Sequence, residues 1–461
     1  MRMRWRISPG SAAPVHVGIV EESIMHSESM TIDTASVPDA NRQAVRQRAL
    51  RKNAWRLLPL LTLAFVFNYI DRTSVGFAAL TMNHELGLTP TQFGWGAGIL
   101  FAGYCLFEIP SNLALYRYGA RRWLARIMIT WGIAATATAL AQGPASFYVL
   151  RLLLGIAEAG FFPGVTFFLA CWFPAQYRVR VLALFMLGVP LSSVVGGPMS
   201  AALLSLNGVA GLHGWQWMFI VQGLPAVLIG IAVLVWLRDD PKDAYWLTSD
   251  ERSELVAMLA EEPREKPKKA LFAALKDGRV LLLAAIQFGF VLGSYGVGIW
   301  LPIILKSHGL SLASIGLLST VPYIAAVAGM MIWARAVDRS GRKIFHLCSA
   351  CLLGGLGLAL SAVANGVVLE MVGLSLAVVA VSSARAIFWT IPTRFLTGVA
   401  AAGGLAFINS IGTLGGFAGP YLVGFLKQST GSFAAGIWAM AAILAVSAAL
   451  SVSLKLLIRK A

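Results

Sequence analysis

The chain has 461 residues, 57% hydrophobic and 13% charged, with 46 glycines and a mean hydropathy of +0.73. A soluble globular chain is nearer one quarter charged, so this composition excludes one and points to a polytopic membrane protein. The net charge of +16 could suggest a nucleic-acid partner, but the Lys and Arg collect in short loops, which reads as membrane topology; no nucleic acid is expected.

In chain order, residues 1–56 come first. They hold no apolar h-region and so are not a cleaved signal peptide. Polar, and rich in arginine from Arg42 to Arg56, they are expected to form a largely disordered cytoplasmic tail, in which Met25 and Met30 are alternative starts to Met1. Twelve apolar segments follow, near 57–80, 93–115, 122–141, 146–169, 181–204 and 216–237, then 280–305, 312–335, 343–364, 367–392, 398–426 and 432–457. Each is of bilayer-spanning length. Between the sixth and seventh lies a long polar stretch, Arg238 to Arg279. There "LTSDERSELVAML" pairs Thr248 with Glu251 as a capping box and continues with helical apolar spacing, which predicts a short surface helix with no chemistry of its own.

Loop charge sets the orientation. Arg117, Arg121, Arg122, Arg178, Arg180, Arg339, Arg342, Lys343 and Arg394 share one side with the basic tail, Arg459 and Lys460. The opposite loops offer Lys306 and Lys427. Both termini and the central loop are therefore expected to be cytoplasmic.

The two halves are related. At a shift of 222 residues Gly94 falls on Gly316, Gly119 on Gly341, Phe185 on Phe407, and Gly197-Pro198 on Gly419-Pro420. The expected fold is all-α, twelve transmembrane helices in two pseudo-symmetric six-helix bundles. The bundles are 57–237 and 280–461, the second with a short tail, and 238–279 is a cytoplasmic linker. Such parallel halves rock about a midplane site in the major facilitator fold.

Six charges sit well inside the apolar segments: Asp71, Arg72, Glu108, Arg151, Glu158 and Arg385. Intramembrane charge is costly and reads first as functional. Asp71 and Arg72 are adjacent, but neighbours in a helix point about 100° apart and do not face each other. Each needs a partner elsewhere. Arg151 and Glu158 are seven residues apart, on nearly one face and about 10 Å apart along the axis, so a helix crossing beside them can bring Asp71 and Arg72 against both. An arginine fork suits a carboxylate, and a glutamate in a low-dielectric cleft can take up a proton near neutral pH. These are the parts of a proton-coupled anion carrier; structural salt bridges that fix helix register are the alternative. Glu108 reads equally as functional or structural. Arg385 either snorkels to the interface or holds a second substrate carboxylate. Tyr69, Tyr104, Tyr295, Tyr323, Asn409 and Trp389 are candidate cavity lining or packing. Asp338, Gly341 and Arg342 sit in "RAVDRSGRK", a tight basic turn expected to gate the cytoplasmic side without touching substrate.

Cys105, Cys171, Cys348 and Cys351 read as packing residues, since no second ligand pair accompanies Cys348-x-x-Cys351. Neither a P-loop nor a metal constellation at helix spacing is present; no metal, cofactor or enzymatic activity is expected. The six histidines lie in the tail or near helix ends, which argues against a histidine proton relay.

"NYIDR", "FEIPSN", "RxxxGxxEAGFFPG", "WLPIILKSHGLS" and "FWTIPTRFLTGVAAAGGLAFINSIGTLGGFAGPYLVG" resemble the anion:cation symporter family of the major facilitator superfamily, from Trp55 onward. That family carries tartrate, phthalate, hydroxyphenylacetate, sugar acids and, in animals, sialic acid and glutamate; this chain is most similar to its bacterial tartrate/phthalate-type branch. The resemblance implies that Asp71 and Glu158 are the proton-coupling acids. It gives Arg72 the substrate carboxylate and pairs Arg151 with the acids. Tyr69, Tyr104 and Asn409 fall near cavity-lining positions. Thr413 stands where many relatives have Asn, and "GVPLSSVVGGP" lacks the glutamine of sugar-acid carriers, which argues against a polyhydroxylated sugar acid. Arg385 replaces a glycine of some relatives and favours a dicarboxylate. The expectation is a monomeric symporter of the bacterial inner membrane importing protons with a small organic anion, a tartrate-like dicarboxylate or an aromatic carboxylate such as phthalate. An exporter, a sodium-coupled carrier and a sugar-acid carrier of the same fold remain alternatives.

Overall fold

The computed structural model describes residues 36–261, 277–392 and 398–460. Met25, Met30 and Arg394 lie outside the described residues, as does linker stretch 262–276. Among the described residues the secondary structure is helical throughout. The first half contains α1 (Ser36–Thr73), α2 (Val75–Glu85), α3 (Pro90–Tyr118), α4 (Ala120–Ala137), α5 (Pro144–Glu158), α6 (Phe161–Trp172), α7 (Ala175–Met186), α8 (Gly188–Leu204) and α9 (Gly214–Trp236). The linker holds α10 (Ser249–Ala260). The second half contains α11 (Gly278–Ser307), α12 (Leu312–Leu318), α13 (Val321–Ser340), α14 (Lys343–Ala362), α15 (Val367–Phe388), α16 (Gly398–Thr413), α17 (Gly415–Thr430) and α18 (Phe433–Lys460).

Among the described residues, ten helical spans are long and apolar enough to cross a membrane, several of them two consecutive helices joined at a break. The other two expected segments, 57–80 and 398–426, are helical as well. Local chemistry sets the ends. Thr89 caps α3 in a box with Gln92, and Pro90 opens the helix, where its missing N–H is harmless. The turns after α3 and α13 pass through Gly119 (φ +84) and Gly341 (φ +66), the pair related by 222 residues.

Of the expected tail 1–56, residues 1–35 lie outside the described residues, and residues 36–56 are helical, the first turns of α1. The latter are rich in Ala and Arg, good helix formers, and the membrane helix they continue removes the nucleation cost that an isolated helix faces. Linker acids hold them in place. Arg42 and Arg46 donate to Glu254 at 2.6 and 2.8 Å, Lys52 to Glu251 at 2.7 Å, and Trp246 donates to Asn53 at 2.7 Å. The linker helix has the expected cap, with Thr248 and Glu251 bonded reciprocally.

The halves meet at the end remote from the termini, where α3 packs on α17, α8 on α12, and α2 on α11. Glycines allow the approach. Gly76 lies against the backbone of Ile299, Gly94 against Pro420, and Gly197 against Gly316. Small residues at crossings let membrane helices come this close.

Candidate functional site

Two membrane crossings break beside their charges. The first stops at Thr73, whose hydroxyl bonds back to the Tyr69 carbonyl at 2.9 Å, and resumes at Val75. The fourth stops at Glu158, turns through Gly160 in the left-handed region (φ +84), and resumes at Phe161. Irregular backbone at membrane depth is tolerated where it is buried in protein or lines a cavity.

These breaks bring the sequence-predicted charges together. Arg72 donates to Glu158 Oε1 through Nε and is ion-paired to it through Nη2. Asn68 Nδ2 donates to the same oxygen at 2.5 Å. Asp71 faces another way and accepts from Trp131 Nε1 at 2.5 Å. Arg151 donates to the backbone carbonyl of Asp71 at 3.3 Å. Asp71 and Arg72 are thus not each other's partners, as helix geometry requires, and Arg72 closes on Glu158. Arg151 and Glu158 have no exposed surface, and Asp71 has 4%. The Arg72 guanidinium also lies 4.8 Å from the Tyr104 ring centre and 5.9 Å from that of Phe101, within cation–π range.

The second half answers with Arg385. Its Nη2 donates to Ser294 at 3.1 Å and its Nη1 to the Tyr69 hydroxyl at 3.4 Å. Arg72 donates at 3.4 Å to the Tyr295 hydroxyl. Each half's arginine therefore bonds a tyrosine of the other half, and the two tyrosine rings stack with centres 6.0 Å apart. Snorkelling of Arg385 to the interface is not what the geometry gives.

Asn409 is tied elsewhere. It donates to Glu108 Oε1 at 2.8 Å, and Ser410 donates to Oε2 at 3.3 Å, so Glu108 bridges the halves through neutral donors. Gly341 and Arg342 form the turn between α13 and α14, and Asp338 lies in the last turn of α13, a helix end apart from the central cluster; Asp338 is exposed. Toward the end remote from the termini lies a cavity of about 20 Å³ lined by Thr73, Ser74, Ser192, Ser319 and Tyr323 among others, room for about one water. Sequence reasoning missed Asn68, Phe101, Trp131 and Ser294. Asn68 was findable, one turn before Arg72 in "NYIDR"; nothing in the sequence marks Trp131 among fourteen tryptophans.

The family profile described as Major Facilitator Superfamily matches residues 61–420 and 283–460. The chain belongs to the Major Facilitator Superfamily. It is a multi-pass membrane protein and a secondary transporter of a small molecule, not an enzyme. An Agrobacterium vitis member, provisionally named a tartrate transporter, is 49% identical over 409 residues, 88% of this chain and 91% of its own. An Acinetobacter baumannii member named quinolone resistance transporter is 43% identical over 400 residues, 86% of this chain and 92% of its own. Among solved structures, a bacterial homologue of the human lysosomal transporter Spinster, inward-facing and occupied, aligns with a TM-score of 0.67 at 17% identity. That alignment covers 87% of this chain and 96% of the other and carries the fold alone.

Proposed function

We propose that this superfamily member is a monomeric proton symporter of the bacterial inner membrane that imports a small organic anion, a tartrate-like dicarboxylate or an aromatic carboxylate such as phthalate. Both termini face the cytoplasm, 57–237 and 280–461 are the rocking units, and 238–279 joins them. One observation carries the reading: Arg72, the group suited to a substrate carboxylate, is held by Glu158, an acid with no exposed surface.

A carboxylate substrate and Glu158 compete for one guanidinium. With Glu158 ionised, a second carboxylate must displace a buried ion pair, and breaking such a pair leaves an uncompensated charge at a cost of several kcal/mol. A proton delivered to Glu158 removes that charge and frees the fork of Arg72. The cycle then begins with outward-facing protonation of Glu158 or Asp71. The anion docks on Arg72, with Arg385 for a second carboxylate and Tyr69 and Tyr104 beside it. The halves rock inward, and release to the cytoplasm follows deprotonation. In this orientation the glycine-sealed end is periplasmic, so the conformer described above is closed to the outside. The Agrobacterium vitis relative supports an organic anion as substrate.

The test is Glu158→Gln in liposomes. Loss of pH-driven accumulation with retained counterflow supports the coupling role; accumulation at wild-type rate overturns it. Export is the second reading, favoured by the Acinetobacter baumannii relative and its name. Failure to take up any of a panel of carboxylates, together with growth inhibition by an aromatic acid on gene deletion, would select it. Sodium coupling is separated from proton coupling by imposing each gradient alone.

A further inference from the structure

Glu158 Oε1 accepts from two residues, and the cycle proposed above parts it from one of them. Arg72 is the one that leaves. The other is Asn68, whose Nδ2 lies 2.5 Å away. The i, i+4 spacing puts Asn68 and Arg72 on one face of α1, and Asn68 is 1% exposed. The second carboxyl oxygen, Glu158 Oε2, is buried and has no hydrogen-bond partner among the described residues.

We propose that Asn68 is a positioning residue for the coupling carboxyl, holding Glu158 Oε1 while Arg72 moves to the substrate and thereby directing the proton to Oε2. The inference rests on the coupling reading of Glu158. The chemistry of the two donors differs in the way this needs. An arginine is drawn to the carboxylate by charge, and that attraction goes when the proton arrives. An amide N–H is neutral and donates to the oxygen of a carboxylate or to the carbonyl oxygen of a neutral carboxyl alike. With Oε1 held by Asn68, Oε2 is the oxygen left for the proton. Protonation therefore breaks no bond to Asn68, and the neutral carboxyl keeps a partner after Arg72 has gone. Without Asn68, release of Arg72 leaves the whole carboxyl buried and unpaired, which penalises the substrate-ready state.

The experiment is a mutant cycle read by substrate counterflow in liposomes at fixed pH. Asn68→Leu keeps nearly the shape of the side chain and removes the donor; it is expected to slow counterflow roughly tenfold, the scale of one buried hydrogen bond lost. In a Glu158→Ala background the same change is expected to cost under about twofold, because the group it positions is absent and the two effects are then non-additive. Asn68→Ala serves as the second variant if the leucine protein is not recovered from the membrane. An equal slowing in both backgrounds, or none in either, overturns the role of Asn68 while leaving the coupling reading intact. Persistence of pH-driven accumulation in Glu158→Ala overturns the coupling reading, and the inference with it.

Discussion

Gly94 packs so closely on the backbone carbonyl of Pro420 that a Cβ has no room between them. Moving each residue by 222 positions gives Gly316 and Pro198, which also meet. A Cβ on Gly316 would lie 3.4 Å from the Pro198 Cα and 3.2 Å from the Gly197 carbonyl oxygen. The duplication repeats a contact between halves as well as a set of glycines. One crossing, used twice, seals the end remote from the termini.

The first prediction follows from that seal. Gly94→Val and Gly316→Val should each wedge a crossing apart at a cost of about 1–3 kcal/mol, the usual range for overpacking. That shifts the balance toward the conformer open at this end by about 5- to 150-fold. The check is thiol labelling, in a background without the four native cysteines, of a cysteine placed at Ser192 in the small cavity behind the seam. Labelling should accelerate in both variants. Unchanged labelling would mean that the glycine crossings are not what closes this end.

A second prediction concerns Arg385. It bonds Ser294 and Tyr69, and the Tyr69 ring stacks on that of Tyr295, which Arg72 bonds in turn. If the two guanidinium groups take the two ends of a dicarboxylate, Arg385→Gln should raise KM for a dicarboxylate by about 10- to 100-fold, the range for losing a hydrogen bond to a charged group. A monocarboxylate of similar size should change by less than about threefold on the same argument, having no second end to lose. Uptake kinetics for a matched pair of acids decide it. Equal losses for both would assign Arg385 to holding the two tyrosines, not the substrate.

Much of this site was legible because intramembrane charge is rare. Six charged residues well inside twelve apolar runs left few ways to pair them, and the seven-residue spacing of Arg151 and Glu158 allowed one crossing helix to meet both. What was not legible was which acid each base would choose. Arg72 closes on Glu158, while Arg151 reaches the backbone at Asp71 and not its carboxylate. That choice depends on where the helices break, and Gly160 alone in a sequence with 46 glycines does not announce a break. Trp131, the donor to Asp71, was hidden for a related reason: its indole N–H matters only once a third helix is packed against the first. The helix of the arginine-rich stretch before Trp55 was not legible because its partners, Glu251 and Glu254, lie about 200 positions away.

That stretch supplies a third prediction. The bonds from Arg46 and Arg42 hold the Glu254 carboxyl below its usual value of 4.5. Burial works against ionisation of Glu251, but its bonds from Lys52 and the Thr248 backbone outweigh it, and it too is lowered. A carboxyl with a depressed folded value stabilises the docked state above its ordinary value and loses that contribution as pH falls through the depressed one. The clasp between α1 and α10 should therefore be intact at about pH 5 and above and loosen as pH falls below 4.5 through the depressed values. Hydrogen exchange of residues 249–260 on either side of that range tests this. Because the pairs are partly exposed, high salt should weaken them as well, and Glu254→Ala should raise exchange at neutral pH. Exchange insensitive to pH, salt and the substitution would show that Leu255 and Met258, both buried, hold the helix without help from charge.

The fourth prediction turns on Glu108, which the coupling scheme does not use. It is 6% exposed and accepts from Asn409 and Ser410 of the opposite half. No arginine pairs with it among the described residues, so its stability in this conformer depends on donors that the other half brings. Glu108→Ala and Asn409→Ala should each remove the same bridge. Both should lower the transport rate several-fold with little change in KM, and the double variant should be no worse than either alone, the signature of one shared interaction. Loss of a bond to a charged group, about 1.5–3 kcal/mol, should also show as faster labelling of the Ser192 cysteine, since the conformer sealed at that end loses a contact. The readouts separate two roles for Asn409. If its amide faces substrate, Asn409→Ala raises KM and leaves the labelling rate alone. If it serves the bridge, KM holds and labelling accelerates, and Glu108→Gln, whose carbonyl can still accept from Asn409, falls between wild type and Glu108→Ala.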